Sequence, residues 1–290
     1  MLKSTLLLTV SVMLLSIRAL DSAPMKVAAL KRSSVKPSSA PDFSDLPFNV
    51  SAHEIPLNYK GHNVKQIYET LAERITPKGE YETTGAFKTR IGNLSHATLF
   101  GSLKFDSDLA FVTKADSTYN ADRNVMELQF FIAAPTTGIA SMRFNDEGVF
   151  TTNSAILSKT LYLGENGFGA KRQVTKTISK NYPLFLSGWA TLPLKKSESG
   201  FASSSPEGRL DIPMSVGAAK AVKGNVKIAL IYNLQYPYVA KNVSYKKATI
   251  NFPYESETRS YYIRGVLKSL WVYNGKTGQV LVQLNNSVKN

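Results

Sequence analysis

Three histidines, His53, His62 and His96, and no cysteine make up the imidazole and thiol inventory of this 290-residue chain. His53-Glu54 opens as a helical zinc-protease signature does, but Leu57 stands where the second histidine belongs and Pro56 breaks the helix that would aim two ligands at one metal. Isolated histidines at irregular spacing read as surface or capping residues, so no metal is assigned. Two serine-lysine pairs, Ser33 with Lys36 and Ser244 with Lys247, have the spacing of penicillin-recognising enzymes. The first lies in a Ser- and Pro-rich leader and the second at a strand edge, and no Gly-x-Ser-x-Gly elbow occurs. Asn120, Asp122 and Asn124 alternate as calcium ligands do, yet Val125 and Phe131 occupy the positions that require glycine and glutamate, which leaves a turn. Of the possible carboxylate pairs, Asp146 and Glu147 are sequence neighbours that a strand would point to opposite faces, and neither they nor Asp106 with Asp108 have a separation that spacing alone defines, so no acid or base is assigned. No catalytic residue and no cofactor follow from these patterns.

The remaining candidate is electrostatic. Net charge is +14, and such a surface attracts nucleic acid, anionic phospholipid or lipopolysaccharide, and acidic glycans. Lys171, Arg172, Lys176 and Lys180 interleave with Tyr162, Phe168, Tyr182 and Phe185, a pattern able to neutralise and stack on a polyanion. The competing reading is a solvated strand face. Gly164-Glu165-Asn166-Gly167-Phe168-Gly169, just before these cations, lacks dinucleotide-binding spacing and reads as a tight turn or bulge between strands.

The elements that would position these residues follow from local signals. Lys3, the apolar run Ser4 to Ile17 and the small residues after it have signal-peptide grammar, with cleavage expected after Ala19. Residues 20–45 read as a flexible basic leader, and 46–290 as an α+β domain. No transmembrane helix is expected after signal cleavage. Asn63 caps a predicted helix to Ile75, with Val64, Ile67, Leu71 and Ile75 on one stripe and Pro77 as its stop. Thr83 or Thr84 caps a second, short helix whose Phe87 and Ile91 anchor it to a sheet, beside the charges Lys78, Glu80, Glu82, Lys88 and Arg90.

Period-two sequence dominates after Leu94. Met126, Leu128, Phe130 and Ile132 alternate with polar residues, and the polar stretch between Val112 and Val125 reads as a long hairpin connection. Further hairpins are expected at 141–152 and at 261–284, the latter turning on Asn274-Gly275-Lys276-Thr277-Gly278. Tyr182 to Trp189 and Val226 to Tyr232 read as strands, and Ser215 to Val222 as a short helix. The loop 195–209 is the natural divider of two subdomains. The fold expected is an amphipathic helix packed on a mainly antiparallel sheet or sandwich.

The segments PKGEYETTGAFKTR (Pro77 to Arg90), YNAD (Tyr119 to Asp122), YLGENGFGAK (Tyr162 to Lys171) and LWVYNGKTGQVL (Leu270 to Leu281), in this order, resemble a diffuse group of exported bacterial proteins with a KGE[FY]ET…R motif. Ala86 departs from that group where an acidic or amide residue would complete a capping box, and Gly167 where it has alanine. The resemblance implies export and brings no activity, cofactor or catalytic residue. It also argues against glycosylation of the Asn-x-Ser sequons at Asn49, Asn93, Asn242 and Asn285. The expectation is a periplasmic or secreted, non-enzymatic binding or structural protein of unknown ligand. The alternatives are a carboxylate-using envelope hydrolase and a basic binder of a polyanion or an anionic envelope component.

Overall fold

A computed structural model describes residues 43–132, 148–196 and 207–286, all within one compact unit, Ala40–Asn290. The expected signal peptide, most of the expected leader, Ser33 with Lys36, and Asp146 with Glu147 lie outside the described residues. Two helices come first, α1 (Val64–Arg74) and α2 (Thr84–Gly92). Strands β1 (Thr98–Phe100), β2 (Leu103–Lys104), β3 (Leu109–Lys114), β4 (Asp116–Asn120), β5 (Val125–Phe131), β6 (Gly148–Glu165), β7 (Lys171–Ser187), β8 (Lys195–Lys196) and β9 (Glu207–Pro213) follow. Then come α3 (Val216–Val222), β10 (Val226–Lys246), β11 (Tyr254–Asn274) and β12 (Val280–Asn285). The described residues are strand-rich with three short α-helices, and the sheets among them do not close into a barrel.

Each helix begins where a side-chain oxygen takes up an orphan N–H. Asn63, Thr83 and Ser215 accept from the backbone N–H groups of Gln66, Ala86 and Ala218 respectively. Helix α1 buries Val64, Ile67, Tyr68 and Leu71 against the main sheet, as its apolar stripe requires. Helix α2 buries Ile91, whereas Phe87 is only half-buried, edge-on to Tyr236 with the Arg90 guanidinium 5.1 Å from its ring centre. Phe87 is therefore the lesser of the two expected anchors. Glu82 holds Arg90 through two hydrogen bonds of 2.9 and 3.0 Å, and Arg90 also donates to Thr76 Oγ1. This clamp fixes the charged connector between the helices.

The main sheet runs β3-β10-β11-β7-β6, with β12 continuing along the β11 edge beyond β7. It is made of two long antiparallel hairpins, β6–β7 and β10–β11, joined by a parallel seam from Tyr254↔Thr175 to Val266↔Ser187. A second sheet, β4-β5-β9-β8, packs its Met126, Leu128, Phe130, Leu210 and Ile212 into the same core as Ile228, Leu230, Leu270 and Val272 of the main sheet. On the opposite face, Phe48 stands edge-on to Trp271 and Ile55 binds Gly278, so residues 43–61 cover Ala229, Ile231 and Tyr273.

Two buried polar groups tie these layers. His62 accepts from the Ala110 N–H at Nδ1 (2.7 Å) and donates from Nε2 to Leu46 O (2.8 Å). Burial pushes its pKa down, so it stays neutral as a structural brace. Tyr232 of β10 crosses β11 at Gly265, where a Cβ would lie 2.5 Å from its ring and 2.1 Å from Asn233 O. Its buried hydroxyl reaches the carbonyls of Phe185 on β7 (2.6 Å) and Ile263 on β11 (3.0 Å). One side chain thereby spans three strands at the seam.

Several expectations need correction. Residues 116–120 form β4, paired with β5, so the stretch between Val112 and Val125 is not a single hairpin connection. Gly148–Thr152 belong to β6, which pairs with β7, while the other arm of the hairpin expected at 141–152 lies outside the described residues. The ends of the 195–209 loop pair with each other, Lys195↔Arg209 and Lys196↔Gly208, which makes it a hairpin within the second sheet. The strand expected from Tyr182 starts at Lys171, and the one expected from Tyr261 starts at Tyr254. Strands of 18, 17, 21 and 21 residues result.

Gly265→Ala is expected to lower stability by about 1–3 kcal/mol or more, since backbone and ring must both move, and Tyr232→Phe by about 1 kcal/mol. Chemical denaturation of each variant checks this. The second expectation concerns pH. The Arg90 hydrogen bonds hold the Glu82 carboxyl down at about 2, against about 4.3 in an unfolded chain. The stabilisation is complete above the unfolded value and is lost as pH falls through the folded one. Melting temperatures of wild type and Glu82→Gln should therefore differ at neutral pH and converge between about pH 4 and pH 2.

Candidate binding surface

The long hairpins determine the most unusual surface of the molecule. At about 3.3 Å per residue, strands of this length span roughly 55 to 70 Å, well beyond the core. The outer halves of β6, β7, β10 and β11 therefore form a four-stranded extension with few buried side chains, Val174 and Ser260 among them. Local sequence explains why it stays a sheet. Thr175, Thr177, Ser179, Thr258 and Ser260 are compatible with strands yet need no core, and Ser179 and Thr258 hydrogen-bond across the seam at 3.1 Å.

Parallel pairing places both hairpin turns at the same end. The first turn is held by Asn166, whose Oδ1 accepts from the N–H groups of Phe168 and Ala170, with Gly169 at φ +79°. The second is stapled to β7 where Thr175 donates to Pro253 O at 3.0 Å. Phe168 on the first turn is 98% exposed and Phe252 on the second 67% exposed, with Tyr245 and Tyr254 exposed beside them. Within residues 159–176 and 241–259 stand Lys159, Lys171, Arg172, Lys176, Lys241, Lys246, Lys247 and Arg259, against Glu165, Glu255 and Glu257. The distal end is thus aromatic at its tips and positive around them.

The four cations singled out by sequence are only partly brought together. Strand alternation puts Arg172, Lys176 and Lys180 on the face that carries α1 and Lys171 on the other. Lys176 is held by Glu255 at 2.7 Å. Lys180 lies 4.7 Å from the Tyr261 ring centre, 5.0 Å from that of Tyr182 and 4.0 Å from Glu69. The Tyr182 hydroxyl is the main cause of its raised pKa. Lys171 sits 3.5 Å from Glu165 in an exposed, weak pair, and Arg172 is exposed near the tip. Of the interleaved aromatics, Phe185 is stacked on Tyr262 in the core and Tyr182 is packed with Tyr68 and Tyr261. Tyr162 and Phe168 are exposed. A continuous stacking platform along β7 is therefore not formed. Phe252, Tyr254, Lys246 and Lys247, which sequence reasoning missed, are brought to the same end by the seam, and the only signal for that is a pairing about 80 residues apart.

The other chemical candidates disperse. His96 pairs with Asp106 at 2.7 Å on the surface, Asp108 is bound by Lys268 and Asn233, and His62 is fixed in the core. Among the described residues no three His, Asp or Glu side chains gather as a metal site. Ser244 and Lys247 are both exposed at the edge of the extension. Asn120 and Asn124 form the expected turn, in which Asn120 Oδ1 accepts from the Arg123 N–H. The cleft of about 450 Å³ between α3 and β4 is lined by Tyr119, Met126, Val216 and Ala219 with Lys220 and Lys223, and has no carboxylate in its wall. No described helix is long and apolar enough to cross a membrane. Comparison with family models, with curated proteins and with solved structures gives no match.

Proposed function

We propose that this is an exported, non-enzymatic binding protein that attaches to an anionic lipid surface through the distal end of its four-stranded extension. The observation that carries the reading is the convergence of Phe168 and Phe252, both exposed, at one end where cations outnumber carboxylates. Exposed aromatics without a protein core to enter are suited to the boundary between headgroups and acyl chains. Lysines around them keep their charge among phosphates while their stems lie along apolar surface, each worth about 1 kcal/mol near an anionic leaflet. The signal-peptide grammar of the first 19 residues and the resemblance to exported bacterial proteins agree with an envelope site of action. The hydrolase alternative has less support, because Asp106 and Asp108 are each engaged by separate partners and the carboxyls of Glu82 and Glu255 are held below the usual range, opposite to a general acid.

Sedimentation with lipid vesicles checks the reading. Wild type should bind phosphatidylglycerol-containing vesicles and not purely zwitterionic ones, with binding that weakens on raising salt. Phe168→Ser with Phe252→Ser should reduce binding about tenfold or more, since each buried aromatic contributes roughly 1.5 to 3 kcal/mol. Equal binding to both vesicle types would contradict the proposal, as would binding that ignores the double substitution. Salt-sensitive retention on heparin without vesicle binding would assign the charge to a soluble polyanion instead.

A further inference from the structure

The two outer edges of the extension are built differently. The β10 edge has a register break between Leu234 and Val239, Pro237 within it, and Lys241 and Lys246 along it. These are the devices that stop a strand edge from pairing with another chain. The β6 edge has neither a register break nor a proline over its last eight residues, and carries one lysine, Lys159. Its register breaks end at Ser158, and Ser158–Glu165 then run regularly with no proline. Among the described residues no strand pairs with its outer side. Leu161 and Leu163 on this run are 61% and 68% exposed, and they project from the same face as Lys159 and Glu165.

That pattern is self-complementary. Lys159 and Glu165 are the charges of the run, and they stand symmetrically about Tyr162. An antiparallel copy placed with Tyr162 opposite Tyr162 sets Lys159 opposite Glu165 twice and Leu161 opposite Leu163 twice, all on one face, with Thr160 opposite Gly164 on the other. No other antiparallel register pairs both charges.

We infer that the β6 edge is an interaction surface for a second copy of this chain, forming a two-fold dimer centred on Tyr162 in which the extensions join into one continuous sheet. The interface is isologous and closes on itself, as two-fold contacts do. Because the strands run antiparallel, the partner's body lies beyond the distal end of the first copy. The dimer and the lipid-bound form therefore compete, but the dimer does not depend on the lipid reading and is tested without lipid.

The test is a charge exchange read by sedimentation velocity. Lys159→Glu and Glu165→Lys each place like charges opposite one another twice and should weaken dimerisation about tenfold, while K159E/E165K restores it. Circular dichroism spectra matching wild type confirm that each variant is folded. The absence of cysteine allows a second readout. Tyr162→Cys should oxidise to a disulfide-linked dimer, whereas Thr160→Cys, which faces Gly164, should not. A monomer at high concentration overturns the inference, whether the edge is bare or covered by another segment of the same chain. A dimer unaffected by both single changes, or equal linkage at positions 160 and 162, also overturns it.

Discussion

The parallel seam between β7 and β11 is the constraint on which the rest of the molecule depends. Each hairpin forms between neighbouring parts of the chain, but the seam joins residues such as Ser179 and Thr258 that are far apart in sequence. It is the one parallel pairing among the described strands, and parallel pairing always demands a long connection. Tyr232 secures its inner end. The tyrosine ring fits across β11 only because position 265 has no side chain, and its hydroxyl takes carbonyls from both strands of the seam. The outer end is secured by Thr175 and Pro253. Between those ends the seam holds two turns side by side that would otherwise be separate loops.

Burial and charge then divide the sheet into two regions. Near the core both faces are covered, one by α1 and the second sheet, the other by residues 43–61 through Phe48, Ile55 and His62. Farther out the covering elements end while the strands continue. Polar Thr and Ser side chains keep that region soluble, and ion pairs such as Lys176 with Glu255 brace it. What remains unneutralised collects at the tip with the exposed aromatics. A sheet that only needed to enclose a core would have turned back much earlier.

The sequence made the local elements legible. Asn63, Thr83 and Ser215 mark the starts of α1, α2 and α3 because capping is a contact within one turn. Met126, Leu128 and Phe130 reveal a half-buried strand by alternation, and the turn at Asn274 to Gly278 reveals the β11–β12 hairpin. Strand length was less legible, since the distal residues of β6 and β10 have no buried face to impose an apolar rhythm. The site was legible only in part. Lys171 and Arg172 stood out by density of charge, but Lys176 and Lys180 have partners, Glu255 and Glu69, that no local pattern indicates. Phe252 and Lys247 gain meaning only once the seam aligns the two turns. Phe87 shows the same limit from the other side, because helical spacing gave it a face but not a depth of burial.

The most direct measurement is therefore of the seam itself. In the cysteine-free chain, Ser179→Cys with Thr258→Cys places two thiols at positions whose hydroxyls lie 3.1 Å apart, and mild oxidation should link them rapidly and almost completely within one molecule. Ser179→Cys with Ser256→Cys, two residues out of register on the same face, should link far more slowly. Equal linkage of the two pairs, or none in the first, would mean that the hairpins are not joined in this register and that their tips do not converge.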